Sequence, residues 1–370
     1  MSGHRRYGPG MIGARPRVGV FLLAPGFPGR SAGEVLEGTV AAAVAAEEAG
    51  FDAVWLAEHH FMTYGLCPSA VTLAGYVLGA TSRITVGTAV SVLSVQHPVA
   101  LAEQALLLDQ VSGGRFRLGV GRGGPWVDLE VFGTGPERLD GGFAESLDLL
   151  LATLAGPRVR GAGPAFRFRE VPVVPGPRAG VDPLLAVTSE TGIGLAAARG
   201  LPMLLGMHAD DAEKARFVRA HRSRGGPDVA HVSTHLAHVA DTTAGAQAEV
   251  RAALPRWLRP GLAGYTRYDG APRIPRDADE YTDLLCRLHP VGDPGLCRAR
   301  LSRTLRHTGA RSLALMVETT GDEARTCENV ARLGAEVLPG LTLPATPVRR
   351  SDRVEAAGEG VGEELGATAR

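Results

Sequence analysis

Residues 98–121, PVALAEQALLLDQVSGGRFRLGVG, contain one helix, one turn and one strand in succession. Pro98 suits the first helical position, where its missing N–H is no loss. Val99, Leu101, Ala102, Ala105, Leu106 and Leu108 then recur at helical spacing. Ser112-Gly113-Gly114-Arg115 supplies the turn, and 116–121 is an apolar run too short for a helix. The unit repeats on both sides. Strand-like runs fall at 17–23, 52–57, 83–92, 184–188, 202–207, 231–240 and 312–318. Helical patterns fall at 33–49, 68–81, 139–155, 210–224, 243–254 and 322–337, and one follows 184–188 and ends near Gly200. Near-continuous apolar strands alternating with helices read as an α/β fold with parallel strands covered on both faces. A (β/α)8 TIM barrel with insertions is the closed solution. A doubly wound sheet is the rival, but no reversal interrupts the repeat, so closure is expected.

The chain of 370 residues carries 39 basic and 39 acidic residues, a formal net charge of +0, with 45% hydrophobic and 21% charged residues. That balance excludes a disordered polyelectrolyte and offers no excess positive charge for nucleic acid. No apolar run reaches the roughly 18 residues needed to cross a bilayer, so no membrane partner is expected. The cysteines Cys67, Cys286, Cys297 and Cys327 have neither metal spacing nor a disulfide framework. They fit a reducing cytosol and a cytoplasmic location. Residues 1–15 read as a disordered leader, 16–340 as the barrel domain and 341–370 as a disordered polar tail. Two long segments interrupt the barrel pattern. Residues 156–183 are rich in Pro and Gly, and 255–295 hold Tyr265, Tyr268 and Tyr281 among prolines and charges. The second is expected to be a lid.

In such a barrel, chemistry belongs at the C-terminal strand ends. Strand 2 leads into Glu58-His59-His60-Phe61, and strand 3 into Gln96-His97-Pro98. Strand 4 leads into Gly121-Arg122-Gly123-Gly124 and then Asp128, and strand 5 into Thr188-Ser189. A histidine at a strand end is either structural or a proton-transfer group, since imidazole titrates near neutrality. Adjacent histidines can suggest a metal, but no third ligand follows and H-E-x-x-H is absent, so no metal is expected. Arg122 between glycines is either a surface side chain on a tight turn or a phosphate clamp. Ser189 is placed to cap a helix, and a helix N-terminus also offers N–H groups to phosphate. The spacing Gly119-Val120-Gly121-Arg122-Gly123-Gly124 departs from the dinucleotide fingerprint, and G-x-S-x-G is missing.

Several stretches together carry a resemblance. They are GFDAVWLAEHHF (50–61), VLGAT (77–81), VGTA (86–89), HPVALAE (97–103), LLDQVSGGRFRLGVGRG (107–123), VFGT (131–134), GLPM (200–203) and PVGDP (290–294). Over about residues 17–340 the chain resembles the bacterial luciferase-like flavin monooxygenases, especially the luciferase alpha subunit. The resemblance implies a barrel that takes reduced FMN (FMNH2) from a separate NAD(P)H:flavin reductase. It implies that O2 then forms a flavin C4a-hydroperoxide, which oxygenates a small-molecule substrate. It also implies a homodimer built on the helices at 68–81 and 98–111. His59 matches the catalytic histidine, with the role of a base. Arg122 and Ser189 match phosphate-binding positions, and Met207 stands where the family has a tryptophan near the flavin. Ala89-Val90 matches a non-proline cis peptide supporting the isoalloxazine ring. Phe21, His60, Gly121 and Asp128 are expected to line the substrate pocket.

Three positions differ from the luciferase alpha subunit. Gly121 replaces a reactive cysteine, Thr188 a glutamate and Gly192 a threonine. Gly121 is expected to leave room for a larger or flatter substrate than a long-chain aldehyde, as in a tailoring step of secondary metabolism. An F420-dependent oxidoreductase on the same barrel is the alternative. A non-catalytic flavin-binding protein is a further one, against which the retention of His59 argues.

Overall fold

The computed structural model describes residues 15–177, 181, 183–266, 268 and 277–344. The leader at 1–14, most of the tail and residues 267 and 269–276 of the expected lid lie outside the described residues. Eight parallel strands form the core of the fold. They are β1 (Arg17–Leu22), β2 (Ala53–Leu56), β3 (Thr85–Thr88 continuing at Ser91–Val92), β4 (Phe116–Arg117 continuing at Gly119–Gly121), β5 (Leu184–Val187), β6 (Met203–Leu205), β7 (Val232–Leu236) and β8 (Ser312–Met316). Each pairs in parallel with the next, and β8 pairs with β1 through Arg17↔Ser312 to Phe21↔Met316. β3 and β4 meet twice, at Val86↔Phe116 and again at Ser91↔Val120. The sheet therefore closes on itself as a (β/α)8 barrel.

Side chains sort by alternation along each strand. Val18, Val20, Leu22, Val54, Leu56, Val86, Leu185, Leu205, Leu313 and Leu315 point outward into the helix layer. Phe21, Trp55, Ala89, Leu184, Leu204, Val232, Ala314 and Met316 fill the interior. Trp55 spans the interior between two glycines. A Cβ at Gly19 would lie 2.9 Å from its Cδ1, and one at Gly87 would lie 2.6 Å from its Cζ3. The helix N-termini follow local chemistry. Ser31 forms a capping box with Glu34, Pro98 opens its helix, and Ser189 accepts a hydrogen bond from the Gly192 N–H.

Three stretches differ from their sequence reading. Residues 158–172, within the Pro- and Gly-rich insertion, form an antiparallel hairpin of Arg158–Ala162 and Arg167–Pro172. The expected lid loop is largely helical. One helix runs Thr243–Ala263 through Pro255 and Pro260, and a second spans Ala278–Leu288. Burial of Val250, Leu254, Trp257 and Leu258 holds the first helix in place despite its two missing N–H donors. Finally, packing continues past 340, because Leu341 and Leu343 are buried in the outer core.

β3 and β4 approach closely at Gly119. A Cβ at Gly119 would sit 2.1 Å from the Thr88 carbonyl oxygen, which is backbone and has nowhere to go. We expect Gly119→Ala to destabilise the fold by about 3 kcal/mol in urea unfolding. Gly194→Ala, in a helix where an added Cβ meets nothing within 4 Å, should be neutral or stabilising by about 0.5–1 kcal/mol. Equal effects of the two changes would contradict this packing.

Candidate active site

The C-terminal mouth of the barrel gathers the residues singled out from the sequence. His59 follows β2 and is partly buried. Its backbone N–H donates to the Cys67 carbonyl at 3.0 Å. Its Nδ1 is buried with no hydrogen-bond partner among the described residues. The ring is wedged from behind, since a Cβ at Gly65 would lie 2.5 Å from Nδ1. Tyr64 packs edge-on to the imidazole with centroids 5.0 Å apart. Trp257 in turn stacks on Tyr64 and donates from Nε1 to its carbonyl at 3.0 Å. The insertion helix Thr243–Ala263 thus supports the catalytic candidate from outside the barrel. Burial, reinforced by His60, holds the His59 imidazole down at about 4, so it is neutral at pH 7.

Glu58 precedes His59 at the end of β2, and its carboxylate is engaged by backbone and side-chain donors. Oε2 accepts from the Ala70 N–H at 3.0 Å, at the start of the helix Ala70–Ala80. Oε1 accepts from the Val92 N–H at 2.9 Å and from Gln96 Nε2 at 3.0 Å. Glu58 therefore ties β2 to β3 just beyond the Ala89–Val90 peptide bond, which is cis. His60 is buried, with Nε2 3.6 Å from Glu58 Oε1 and no hydrogen bond among the described residues. Asp128 is buried with Oδ1 likewise unpartnered. Burial pushes its carboxyl up to about 6, opposed by His60 and reinforced by Glu58. His97 is a structural residue, accepting from the Val99 N–H at its helix start and packing on Phe166.

Gly121 faces Val90 across the β3–β4 seam, and a Cβ there would lie 2.5 Å from Val90 Cγ2. The room expected beside Gly121 is therefore filled by Val90. Arg122 is exposed and makes no hydrogen bond or ion pair among the described residues. Ser189 caps the helix Glu190–Ala198 at the neighbouring strand end. Glu190 in that first turn is neutralised by Arg216 and Arg224. A free guanidinium beside a helix N-terminus is a fitting receptor for one phosphate group. Met207 and Phe21 are buried in the interior cluster that the mouth opens onto. Above them, the insertion crosses from Met62 to the loop after β4. The Trp126 N–H donates to the Thr266 carbonyl at 3.0 Å, and a Cβ at Gly124 would lie 3.2 Å from the Tyr265 hydroxyl. Among the described residues no three His, Cys, Asp or Glu side chains gather as a metal site. No described helix is long and apolar enough to cross a membrane.

Three residues at this site escaped the sequence reading. Gly65, Trp257 and Glu318 carry no motif, and only their contacts reveal them. Glu318 Oε2 accepts from the Leu23 and Ala24 N–H groups at 2.6 and 3.2 Å, and Oε1 lies 2.7 Å from Thr39 Oγ1. Burial, only partly offset by those bonds, pushes Glu318 up to about 7. A protonated Oε1 can donate to Thr39, whose hydroxyl then donates to the Val35 carbonyl at 2.9 Å.

A family model described as luciferase-like monooxygenase matches residues 16–312. The alkanal monooxygenase alpha chain of the Kryptophanaron alfredi symbiont is 27% identical over 350 residues, covering 88% of this chain and 98% of that one. The alpha chain from Photorhabdus laumondii is 28% identical over 350 residues, with 88% and 98% covered. Monooxygenase RslO1 from Streptomyces bottropensis is similar in structure, with a TM-score of 0.77, 22% identity, and 87% of this chain and 99% of that one covered. The oxygenating constituent of 3,6-diketocamphane monooxygenase from Pseudomonas putida, in complex with FMN, gives 0.71 at 21% identity, with 90% and 100% covered. An F420-dependent secondary alcohol dehydrogenase gives 0.70 at 16% identity, with 88% and 99% covered.

The buried groups set the acid response. His59, His231 and His289 are held at about 4, about 3 and about 3, and His235 well below 6.5, in each case first by burial. The unfolded chain takes up protons near 6.5 and the folded chain does not. The stability present above pH 6.5 is therefore lost on acidification, at about 1.4 kcal/mol per pH unit for each such histidine. Glu318 and Asp128, raised in the fold, act in the opposite sense, but four histidines outweigh two carboxyls. We expect the melting temperature to fall steadily from pH 6.5 to 4.5. A flat or rising profile over that window would contradict the neutral, buried assignment.

Proposed function

The chain belongs to the luciferase-like monooxygenase family, and we propose that within it the protein is a two-component monooxygenase. It takes reduced FMN from a separate NAD(P)H:flavin reductase and uses O2 to oxygenate a small organic substrate. The observation that carries this reading is His59 at the barrel mouth, wedged by Gly65 with an unpartnered Nδ1, beside the strand ends that bear the cis Ala89–Val90 bond, Arg122 and Ser189. Relatives that match along almost their whole length are alkanal monooxygenases, which supports an oxygenation, and the likeness to a monooxygenase constituent in complex with FMN supports that cofactor.

The chain's own residues divide the work. Arg122, Ser189 and the first N–H groups of the Glu190–Ala198 helix would hold the phosphate. Val90, backed by Gly121, and Met207 would bound the ring. When bound, reduced FMN supplies two electrons to O2, so that one oxygen atom enters the substrate and the other leaves as water. His59 is neutral at pH 7 and able to accept a substrate proton. Asp128, raised to about 6, can exchange protons near neutrality. The 264–266 segment meets the loop after β4 beside the mouth. Phe61 and Phe132 are exposed and pack against His60, which supports an apolar substrate. The second reading, F420 with hydride transfer, is supported by the likeness of the barrel to an F420-dependent dehydrogenase.

We expect His59→Ala to bind reduced FMN as the parent does but to lose product formation by about two orders of magnitude or more, measured with reductase, FMN, NADH and apolar carbonyl substrates. Unchanged turnover would remove His59 from the reaction. Arg122→Ala should weaken FMN binding without shifting the melting temperature.

We also propose a homodimer through the helices Ala70–Ala80 and Pro98–Val111. Tyr76, Leu107 and Val111 are exposed there at 69%, 51% and 71%, which is apolar surface that a second copy would cover. Light scattering should show a dimer for the parent and a monomer for Leu107→Glu. A monomeric parent would overturn the dimer.

A further inference from the structure

β7 has the sequence Val232-Ser233-Thr234-His235-Leu236, all buried. Val232 and Leu236 belong to the interior cluster, so Ser233 and His235 face the helix layer by alternation. Burying a hydroxyl and an imidazole against helices is costly unless each is hydrogen-bonded. Here every polar atom of this face has a partner. Ser233 Oγ lies 2.8 Å from His235 Nε2. His235 Nδ1 lies 3.2 Å from His289 Nδ1, and His289 Nε2 lies 2.8 Å from the Met207 carbonyl oxygen.

The chain has one direction. A carbonyl only accepts, so His289 Nε2 carries the proton and its Nδ1 offers a lone pair. His235 Nδ1 must then donate to it, leaving His235 Nε2 to accept from the Ser233 hydroxyl. The surroundings keep both rings neutral. Lys214, the single lysine of the chain, donates to the Thr234 carbonyl at 2.8 Å. It faces the pair from the helix Asp211–Ser223, with Asp210 and Asp211 near it. Arg300, on the helix Pro294–Thr308, donates to the Cys286 carbonyl at 2.7 Å and to the His289 carbonyl. His208 also faces His289. A proton added to His289 Nδ1 would set two N–H groups against each other, and one added to His235 Nε2 would place a buried charge beside these cations.

We propose that His235 and His289 are positioning residues for the cofactor site. Their hydrogen-bond chain fixes the Met207 segment beyond β6 against the end of the insertion helix Ala278–Leu288. A second contact runs the same way, between the Tyr281 hydroxyl and His208 Nδ1. The insertion helix Ala278–Leu288 and the segment after β6 are thereby held as one piece. The inference rests on the reading that Met207 borders bound FMN.

The test uses the full chain and reduced FMN titrated anaerobically. His289→Ala should weaken FMN binding about tenfold and speed amide exchange across residues 204–208. His289→Gln can donate to Met207 while accepting from His235, and should restore affinity to within about threefold. His231→Ala removes a bond to the Met203 N–H at the other end of β6 and should leave affinity within about twofold. Wild-type affinity in His289→Ala, or equal losses in the two alanine variants, would overturn the proposal. A parent that binds no FMN refutes the FMN reading alone. The clasp is then decided in the ligand-free protein by nitrogen-15 NMR of the histidines. The expected result is an Nε2–H tautomer for His289 and an Nδ1–H tautomer for His235. Reversed tautomers, or imidazolium at pH 7, would refute it.

Discussion

The contact between Thr88 and Gly119 closes the barrel and shapes its mouth. Thr88 Oγ1 donates to the Gly119 carbonyl at 2.7 Å and accepts from the Gly119 N–H at 3.0 Å. A side chain on residue 119 has no space because the Thr88 carbonyl occupies it. One residue further, β3 passes through the cis Ala89–Val90 bond and β4 through Gly121, so that Val90 fills the space a side chain at 121 would take. Glu58 then gathers Val92, Gln96 and Ala70 on the far side of that bond. In the proposed function, the strand pair that shuts the cylinder also bounds the flavin ring. Packing and function cannot be varied separately there.

Around this seam the C-terminal face holds its ionisable groups dry. His59, His60, Asp128 and Glu318 are buried wholly or in part, and most face backbone or aromatic surface rather than opposite charge. In such surroundings protonation states are set by desolvation and by the direction of hydrogen bonds more than by ion pairs. The same logic runs through the helix layer behind β6 and β7, where imidazoles take single tautomers. Arg122 is the exception. It stays exposed, and unpaired among the described residues, where the flanking groups are glycines. A formal net charge of +0 over the chain therefore coexists with a local cation suited to one phosphate.

Local features were legible in the sequence. Apolar runs, Pro98 and the glycines at 113 and 114 marked the βα repeat, because backbone preference and strand alternation act over a few residues. Ser189 was readable as a helix cap for the same reason. The break of β3 at Ala89–Val90 came only through family resemblance, since no composition signals it. The insertion helices hid behind Pro255 and Pro260, whose breaking tendency is overridden by the burial of Trp257 and Leu258. Glu58 stood out only as a polar residue at a strand end, and its carboxylate is spent on backbone N–H groups 12 and 34 residues away. Gly65 behind His59, and His289 beside His235, depend on contacts formed only after closure, and no spacing rule reports them.

The most direct measurement is an anaerobic calorimetric titration of the purified protein with reduced FMN, followed by F420 as competitor. One reduced FMN is expected to bind per chain, more tightly than oxidised FMN and without displacement by F420. Tight binding of F420 with no binding of reduced FMN would contradict the FMN reading.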